Sequence, residues 1–250
     1  FKYSIINVDG VITISNNLQE EINFLYNNKN IITEHDGVDT KLFHKDIKFD
    51  VYQELAIRKE QNILVYVGHL YPWKGVADGI EAIRNKKKIL FIVVGGLEHD
   101  INNIKSKSPK HVYFVGYKPP IEVVKFMNAA DFLILPSKVI GNNVSESFTS
   151  PLKLFEYLAV GKPIIASNHP AYRAILPIGV IKYKMSDLSD LSKKIDYAIK
   201  NKTRLKIIAK NYPKYVKKFT WNMRAKRIIN FMNLDYFENK NHQKHIIMNL

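Results

Sequence analysis

Residues 150–167 read SPLKLFEYLAVGKPIIAS, a helical stretch that runs at once into a short apolar strand. The helix is expected over 151–160. Ser150 suits its cap, and Pro151 suits its first position, where a missing N–H leaves no extra donor unpaired. PIIAS (163–167) has the composition of a buried strand. Lys153 is the odd residue. It puts a cation in the first helical turn, where exposed N–H groups already carry partial positive charge. Glu156 lies three residues on, on the same side. Two readings stay open: the pair is a local ion pair, or an anion offsets Lys153 and leaves Glu156 to accept hydrogen bonds from neutral hydroxyls.

The same alternation extends outward. ILVYV (63–67), ILFIVV (89–94), VYFV (112–115), FLILP (132–136) and GVIKY (179–183) read as strands. Helices are expected over 74–86, 98–106 and 120–128, then over 187–200, 202–211 and 220–233. Near-continuous apolar strands separated by helices predict an α/β fold, a Rossmann-like parallel sheet with helices on both faces, spanning residues 46–215. Upstream, GVITI (10–14) and NIIT (30–33) are strands around a helix over 17–27, capped by Ser15 or Asn16. HDGVDTKLF (35–43) is turn-rich, and a helix is expected over 49–57. So small a set cannot bury its own core. Residues 1–45 are therefore expected to close an N-terminal domain that precedes them, and the Phe at position 1 fits a piece of a longer chain. Residues 216–250 are expected to be a return helix and a tail, patternless from 236 onward.

Composition narrows the function. No apolar run approaches the roughly 18 residues that span a bilayer. Cysteine is absent, which removes disulfides and thiolate metal sites and fits a reducing, cytoplasmic compartment. The eight histidines are scattered, so no metal site is expected. The formal net charge is +15, concentrated in 182–227. That excess suits a solvated set of helix faces, or a phosphorylated substrate or an anionic membrane surface, with the protein held peripherally. It would suit nucleic acid too, but no stacking platform or nucleic-acid motif accompanies it, and none is expected as a partner.

Ligands of open α/β sheets bind at the carboxyl ends of the strands. Gly68, Gly95–Gly96, Gly116 and Pro136–Ser137 follow four of the strands, and glycine there lets a backbone approach a ligand closely. GHLYPWKGV (68–76) adds Lys74, read as the start of the helix after ILVYV. Two lysines at two helix starts on one rim point to a shared anion. Neither GxGxxG after a strand nor GxxxxGK[ST] is present, so a dinucleotide fingerprint and a P-loop are not supported.

Taken in order, DGVITISNNLQEEI, HDGVDTKLF, YVGHLYPWKGV, VYFVGYKPPIEVVKFMNAADFLILPS, SPLKLFEYLAVGKPIIAS and FTWNMRAKRI resemble the group 1, or family 4, retaining glycosyltransferases of the GT-B fold. The resemblance implies one half of that fold, the C-terminal nucleotide-sugar-binding domain, and a return helix that crosses back towards the N-terminal one. It implies that Lys74 contacts the donor diphosphate, with His69 where an arginine often stands and Gly68 beside it. It places Gly116 and Tyr117 beside the base. Ser150, Pro151 and Leu152 form the turn whose amides face phosphate or sugar, next to Lys153. Glu156 matches the second glutamate of an E-x7-E motif, which binds ribose. The first falls at 148, where Phe stands, and Glu146 two residues upstream is the candidate replacement.

The reaction that the resemblance implies is a metal-independent transfer, with retention, from a nucleotide-diphosphate-sugar donor to a hydroxyl of a glycan or lipid-linked acceptor. The nucleotide-sugar is a co-substrate and no cofactor is expected. Lys74, Lys153 and the helix N-terminus are expected to stabilise the leaving group, with Glu146 as the candidate for the missing carboxylate. The isolated chain is expected to bind donor but to turn over poorly without an N-terminal domain. Phe148 also suits a non-catalytic nucleotide-sugar-binding fragment or partner subunit. Another GT-B enzyme, an epimerase or phosphorylase, fits the SPLKLFEYLAVGKP motif less well.

Overall fold

A computed structural model describes residues 5, 7–26, 30–43, 47–57, 61–140 and 148–238, with the backbone alone for 233–238. Two parallel sheets carry it. β1 (Val11–Thr13) and β2 (Ile31–Thr33) form a two-stranded pair. β3 (Asn62–Val67), β4 (Ile89–Val94), β5 (Val112–Gly116), β6 (Phe132–Leu135), β7 (Ile164–Ser167) and β8 (Ile181–Tyr183) form a six-stranded sheet in the order β5-β4-β3-β6-β7-β8. Counted within that sheet, this is the doubly wound order 3-2-1-4-5-6.

Alternate strand residues face opposite layers, and both layers are filled. Val65, Ile92 and Leu133 pack with Val124, Met127, Leu154 and Leu158, on the side of helices Pro120–Ala129 and Leu152–Val160. Leu64, Phe91 and Ile134 pack with Ile80, Ile83, Leu191 and Ile195, on the side of helices Val76–Ala82 and Leu188–Lys200. Every residue of β4 is buried, as an unbroken apolar run requires. The expected α/β sheet with helices on both faces is the observed one.

Several boundaries differ from the sequence reading, each for a local reason. The helix expected from 74 begins at Val76, because Pro72–Lys74 is a separate 3₁₀ turn closed by Gly75 at φ 71°. It stops at Ala82, where Ile83 and Arg84 bond only three residues back. The helix expected over 49–57 is the single turn Val51–Glu54. Asp50 caps it, and Ala56 at φ 51° ends it. HDGVDTKLF contains a helical turn, Thr40–Phe43, started by Asp39 Oδ1 accepting from the amides of Lys41 and Leu42. Helix Trp221–Glu238 runs past position 233 and into the stretch read as patternless. Residues 239–250 of that tail lie outside the described residues.

The small sheet encloses little of its own, with Ile5, Ile22 and Ile31 as its buried cluster. Contacts with the rest of the chain hold it. Val38 N–H donates to Phe219 O at 2.9 Å, and Arg227 Nε donates to buried Glu34 at 2.7 Å. Helix Trp221–Glu238 thus reaches back to the end of β2.

Gly75 and Gly116 have nearly the same backbone, φ 71° and 68°, but different surroundings. A Cβ at Gly75 would lie 1.9 Å from Pro136 O, whereas one at Gly116 meets nothing within 4 Å. Gly116→Ala is expected to cost about 1 kcal/mol, the left-handed penalty alone. Gly75→Ala is expected to cost about 3 kcal/mol, because backbone must move as well. Urea midpoints of the two variants check the difference; equal losses would show that the turn is not pressed against the β6 loop.

Candidate functional site

β3 and β6 are neighbours, but β3 leads to β4 on one side while β6 leads to β7 on the other. Connections that leave in opposite directions open a crevice at the carboxyl ends of the strands. A cavity of about 230 Å³ lies there. It is below the roughly 300 Å³ at which sites for whole small molecules begin, so it suits one polar end of a larger ligand.

Eight of the residues singled out in the sequence line this one cavity: Gly68, His69, Lys74, Ser137, Ser150, Pro151, Leu152 and Lys153. Glu156, Gly116 and Tyr117 do not. Gly116 ends β5, two strands away on the same rim, and its carbonyl accepts from Gly95 N–H at 2.8 Å. The Tyr117 side chain is exposed. Glu146 lies outside the described residues.

The two ammonium groups differ in their surroundings. Lys153 Nζ donates to Glu156 Oε2 at 2.6 Å. Glu156 is buried; that burial pushes its carboxyl pKa up, while Lys153 pulls it down. In the ligand-free structure Glu156 takes the local ion pair with Lys153. Lys74 has no carboxylate partner among the described residues. Burial, and then the positive charge of Lys153, hold its pKa below the ordinary lysine value. The two cations are close enough to repel each other, and among the described residues a carboxylate offsets only one of them.

Several contacts fix Lys74 where it is. Gly75 brings the 72–74 turn against the carbonyl of Pro136. Lys138 N–H donates to Trp73 O at 2.8 Å, and Lys138 Nζ bonds both Asp78 oxygens at 2.9 Å. The Tyr66 hydroxyl donates to His69 O at 2.5 Å, and the rings of His69, Tyr71 and Trp73 stack at 5.0 and 4.7 Å. Lys74 therefore sits on a braced turn and not, as expected, on the first turn of a helix.

Ser150 is the second correction. It does not cap helix Leu152–Val160, whose N-cap is Pro151 and which has no side-chain cap. Its Oγ accepts from Asp36 N–H at 2.9 Å instead.

The sequence reading passed over Trp73, Lys138, His169 and Tyr172, which also line the cavity. Buried His169 follows β7, and the strand-end rule that flagged Gly68 would have flagged it too. Its Nδ1 accepts from Ala171 N–H at 3.1 Å, so in the neutral ring the proton is on Nε2. Its ring stacks on Tyr172 at 5.1 Å. Ser167 donates its single proton to Ser137 O at 2.5 Å, so the Tyr172 hydroxyl is the donor to Ser167 Oγ at 2.7 Å. Among the described residues no three His, Asp or Glu side chains gather as metal ligands would, and no helix is long and apolar enough to cross a membrane.

A crevice at the switch point of a 3-2-1-4-5-6 sheet, with lysines after two of its strands, is the frame of a nucleotide-binding α/β domain. The sequence profile described as Glycosyl transferases group 1 matches residues 48–218. The chain belongs to that family, and its six-stranded sheet is the Rossmann-like half of a GT-B fold. It is 27% identical over 225 residues to the uncharacterized glycosyltransferase MJ1178 of Methanocaldococcus jannaschii, covering 88% of this chain and 58% of that protein. It is 27% identical over 230 residues to the O-antigen biosynthesis glycosyltransferase WclY of Escherichia coli, covering 90% and 61%. The crystal structure of Anabaena Alr3699/HepE in complex with UDP superposes with a TM-score of 0.70 at 17% identity, covering 90% of this chain and 64% of that one. The chain spans about three fifths of the length of the curated relatives it matches.

The Lys74 ammonium has a testable sign. Its folded-state pKa lies below the unfolded value of 10.5. Between those two values the unfolded chain holds more protons, so stability rises with pH there. Below both, at neutral pH, the charged form is the disfavoured one. Lys74→Met is therefore expected to raise the melting temperature of the ligand-free chain at neutral pH. The gain should shrink as the pH approaches 10.5. Thermal melts across pH check both; a variant less stable than the parent at neutral pH contradicts the assignment.

Proposed function

We propose that this chain is the donor-binding part of a glycosyltransferase that moves a sugar from a nucleotide-diphosphate-sugar to a hydroxyl of a glycan or lipid-linked acceptor. The supporting observation is the shared crevice of Lys74 and Lys153, with Lys74 lacking a carboxylate partner among the described residues. A cation held against burial and like charge is relieved by a bound anion, and a diphosphate spans two such groups. The likeness to a structure holding UDP and to an O-antigen glycosyltransferase favours this donor and acceptor class.

In the proposed reaction the bond between the sugar's anomeric carbon and the diphosphate oxygen breaks, a bond from that carbon to the acceptor oxygen forms, the acceptor's hydroxyl proton passes to the departing phosphate, and negative charge grows on that phosphate as it leaves. Lys74, Lys153 and the N-terminus of helix Leu152–Val160 stabilise that charge without a metal ion. Glu156 keeps Lys153 in place. The base lies along the rim towards Gly116 and Tyr117, which fits a cavity too small for the whole donor. Glu146 supplies the carboxylate for the transferred sugar, which leaves with retained configuration. Acceptor binding belongs to a facing N-terminal domain.

UDP, GDP and ADP are to be compared by thermal shift on the 250-residue chain. At least one is expected to raise the melting temperature, with no loss on adding EDTA. Lys74→Met and Lys153→Met should each weaken that ligand by about 10-fold or more, the size of a charged hydrogen bond. Sugar transfer by the chain alone should stay slow. If none of the three nucleotides shifts the melt, the donor assignment falls.

Peripheral attachment to an anionic membrane is part of the same proposal. Residues 197–234 contain eleven Lys and Arg and no Asp or Glu, and Ile207 and Trp221 within them are exposed. Juxtaposed cations and exposed aromatic or aliphatic side chains suit an anionic lipid surface. Co-sedimentation with vesicles is expected when they contain phosphatidylglycerol and not when they are pure phosphatidylcholine; equal binding to both, or to neither, rejects the attachment.

A further inference from the structure

We infer that Ser150 and Ser15 are positioning residues, through which the small β1–β2 sheet holds the wall of the anion crevice. The inference rests on the donor-binding reading for its ligand, not for its geometry. Residues 149–153 form that wall. Two hydrogen bonds tie it to parts of the chain more than a hundred positions away. Asp36 N–H donates to Ser150 Oγ at 2.9 Å, and Ser15 Oγ donates to Phe148 O at 3.0 Å.

Each partner is itself anchored. Ser15 is buried and accepts from Leu18 N–H at 3.3 Å, so the hydroxyl that starts helix Asn16–Tyr26 also fixes position 148. Glu34 N–H donates to Thr13 O at 2.8 Å, across the β1–β2 pair. His35 bonds Ile14 O through Nδ1 at 2.9 Å, and its ring lies against Phe155 of helix Leu152–Val160 and Phe219, with centroids 6.2 and 6.0 Å away. The segment 34–36 is thus wedged between β1 and the helix whose first turn carries Lys153. Two elements that share an interface this closely have one coupled equilibrium: what orders the crevice wall also orders the 34–36 segment, and the reverse.

The consequence is that a ligand at Lys74 and Lys153 is felt at Asp36, and that loosening the small sheet weakens the ligand. Neither serine needs to touch the ligand through its side chain.

The test uses the 250-residue chain, Ser150→Ala, Ser15→Ala and Ser150→Thr. Without ligand, hydrogen exchange followed by mass spectrometry should show that Ser150→Ala speeds exchange in peptides covering 34–37. Ser15→Ala should speed it at 148–154, although residue 15 is not in the cavity. With UDP, both peptides should gain protection in the parent, and Ser150→Ala should raise the Kd about fivefold to tenfold, the worth of one hydrogen bond. Ser150→Thr keeps a hydroxyl and should restore the parent Kd, which a purely steric effect of residue 150 would not allow. Unchanged exchange in both alanine variants overturns the inference. So does a Kd that stays at the parent value in Ser150→Ala. Where the parent takes GDP or ADP in place of UDP, the same Kd comparison is made with that nucleotide; failure to bind any of the three counts against the donor, while the ligand-free exchange still decides the coupling.

Discussion

The repulsion between Lys74 and Lys153 is the constraint around which the crevice is organised. Two ammonium groups in water would move apart. Here they cannot, because each sits on a segment held by contacts unrelated to its charge. The 72–74 turn is pressed against Pro136 by a residue without a side chain, and Lys153 follows a proline at the start of a buried helix. Glu156 offsets one charge and leaves the other. Had a second carboxylate paired with Lys74, the crevice would be more stable and of less use to an anion. Sites that tolerate such local disfavour are where function is expected, because stability alone would have removed it.

The sheet supplies the rigidity that this requires. β3 and β4 are buried almost end to end and register residue for residue, so the positions where they stop are fixed to within a side chain. Loops that leave such ends inherit that precision. The residues that line the crevice come from the ends of β3, β6 and β7 and from the start of one helix, segments separated by up to a hundred positions in sequence. No one of them makes a site. The doubly wound order brings them together, since it places β3 and β6 side by side with their connections diverging.

Much of this was legible in the sequence, and the parts that were not share a cause. The six long-sheet strands and the helices between them follow from apolar runs and periodicity, which depend on neighbours in sequence. Lys74 and Lys153 were found because a cation at a helix start is locally unfavourable, and an unfavourable local choice needs a distant explanation. The errors came where two local signals competed. Lys74 read as helical because the pattern beyond it was helical, but Gly75 in the left-handed region separates the turn from the helix. Glu156 had two open readings, and the coordinates show its ion pair with Lys153 formed in the ligand-free chain. His169 follows the end of β7, but its place in the crevice depends on stacking against Tyr172, whose hydroxyl is bonded to Ser167, and that packing is not legible from the strand pattern.

Ser150 shows how one misread cap bears on chemistry. Serine before a helix usually accepts from an amide of the first turn, and that bond is worth about 1 kcal/mol to the helix. Here the same oxygen is taken by Asp36 N–H, and Pro151, which follows, has no N–H to offer. Leu152 and Leu154 turn their amides to the nearby carbonyls of Ser150 and Pro151, while the Lys153 amide finds no acceptor among the described residues. The helix therefore begins without a side-chain cap at the crevice wall. A capping serine would have met the demand from within the chain. By turning its hydroxyl to the segment after β2, Ser150 leaves the first turn without a side-chain cap and ties that turn to residues 34–36. The exchange of a local bond for a distant one accounts for the missing cap, and burial of Leu154, Phe155, Tyr157 and Leu158 holds the helix in its place.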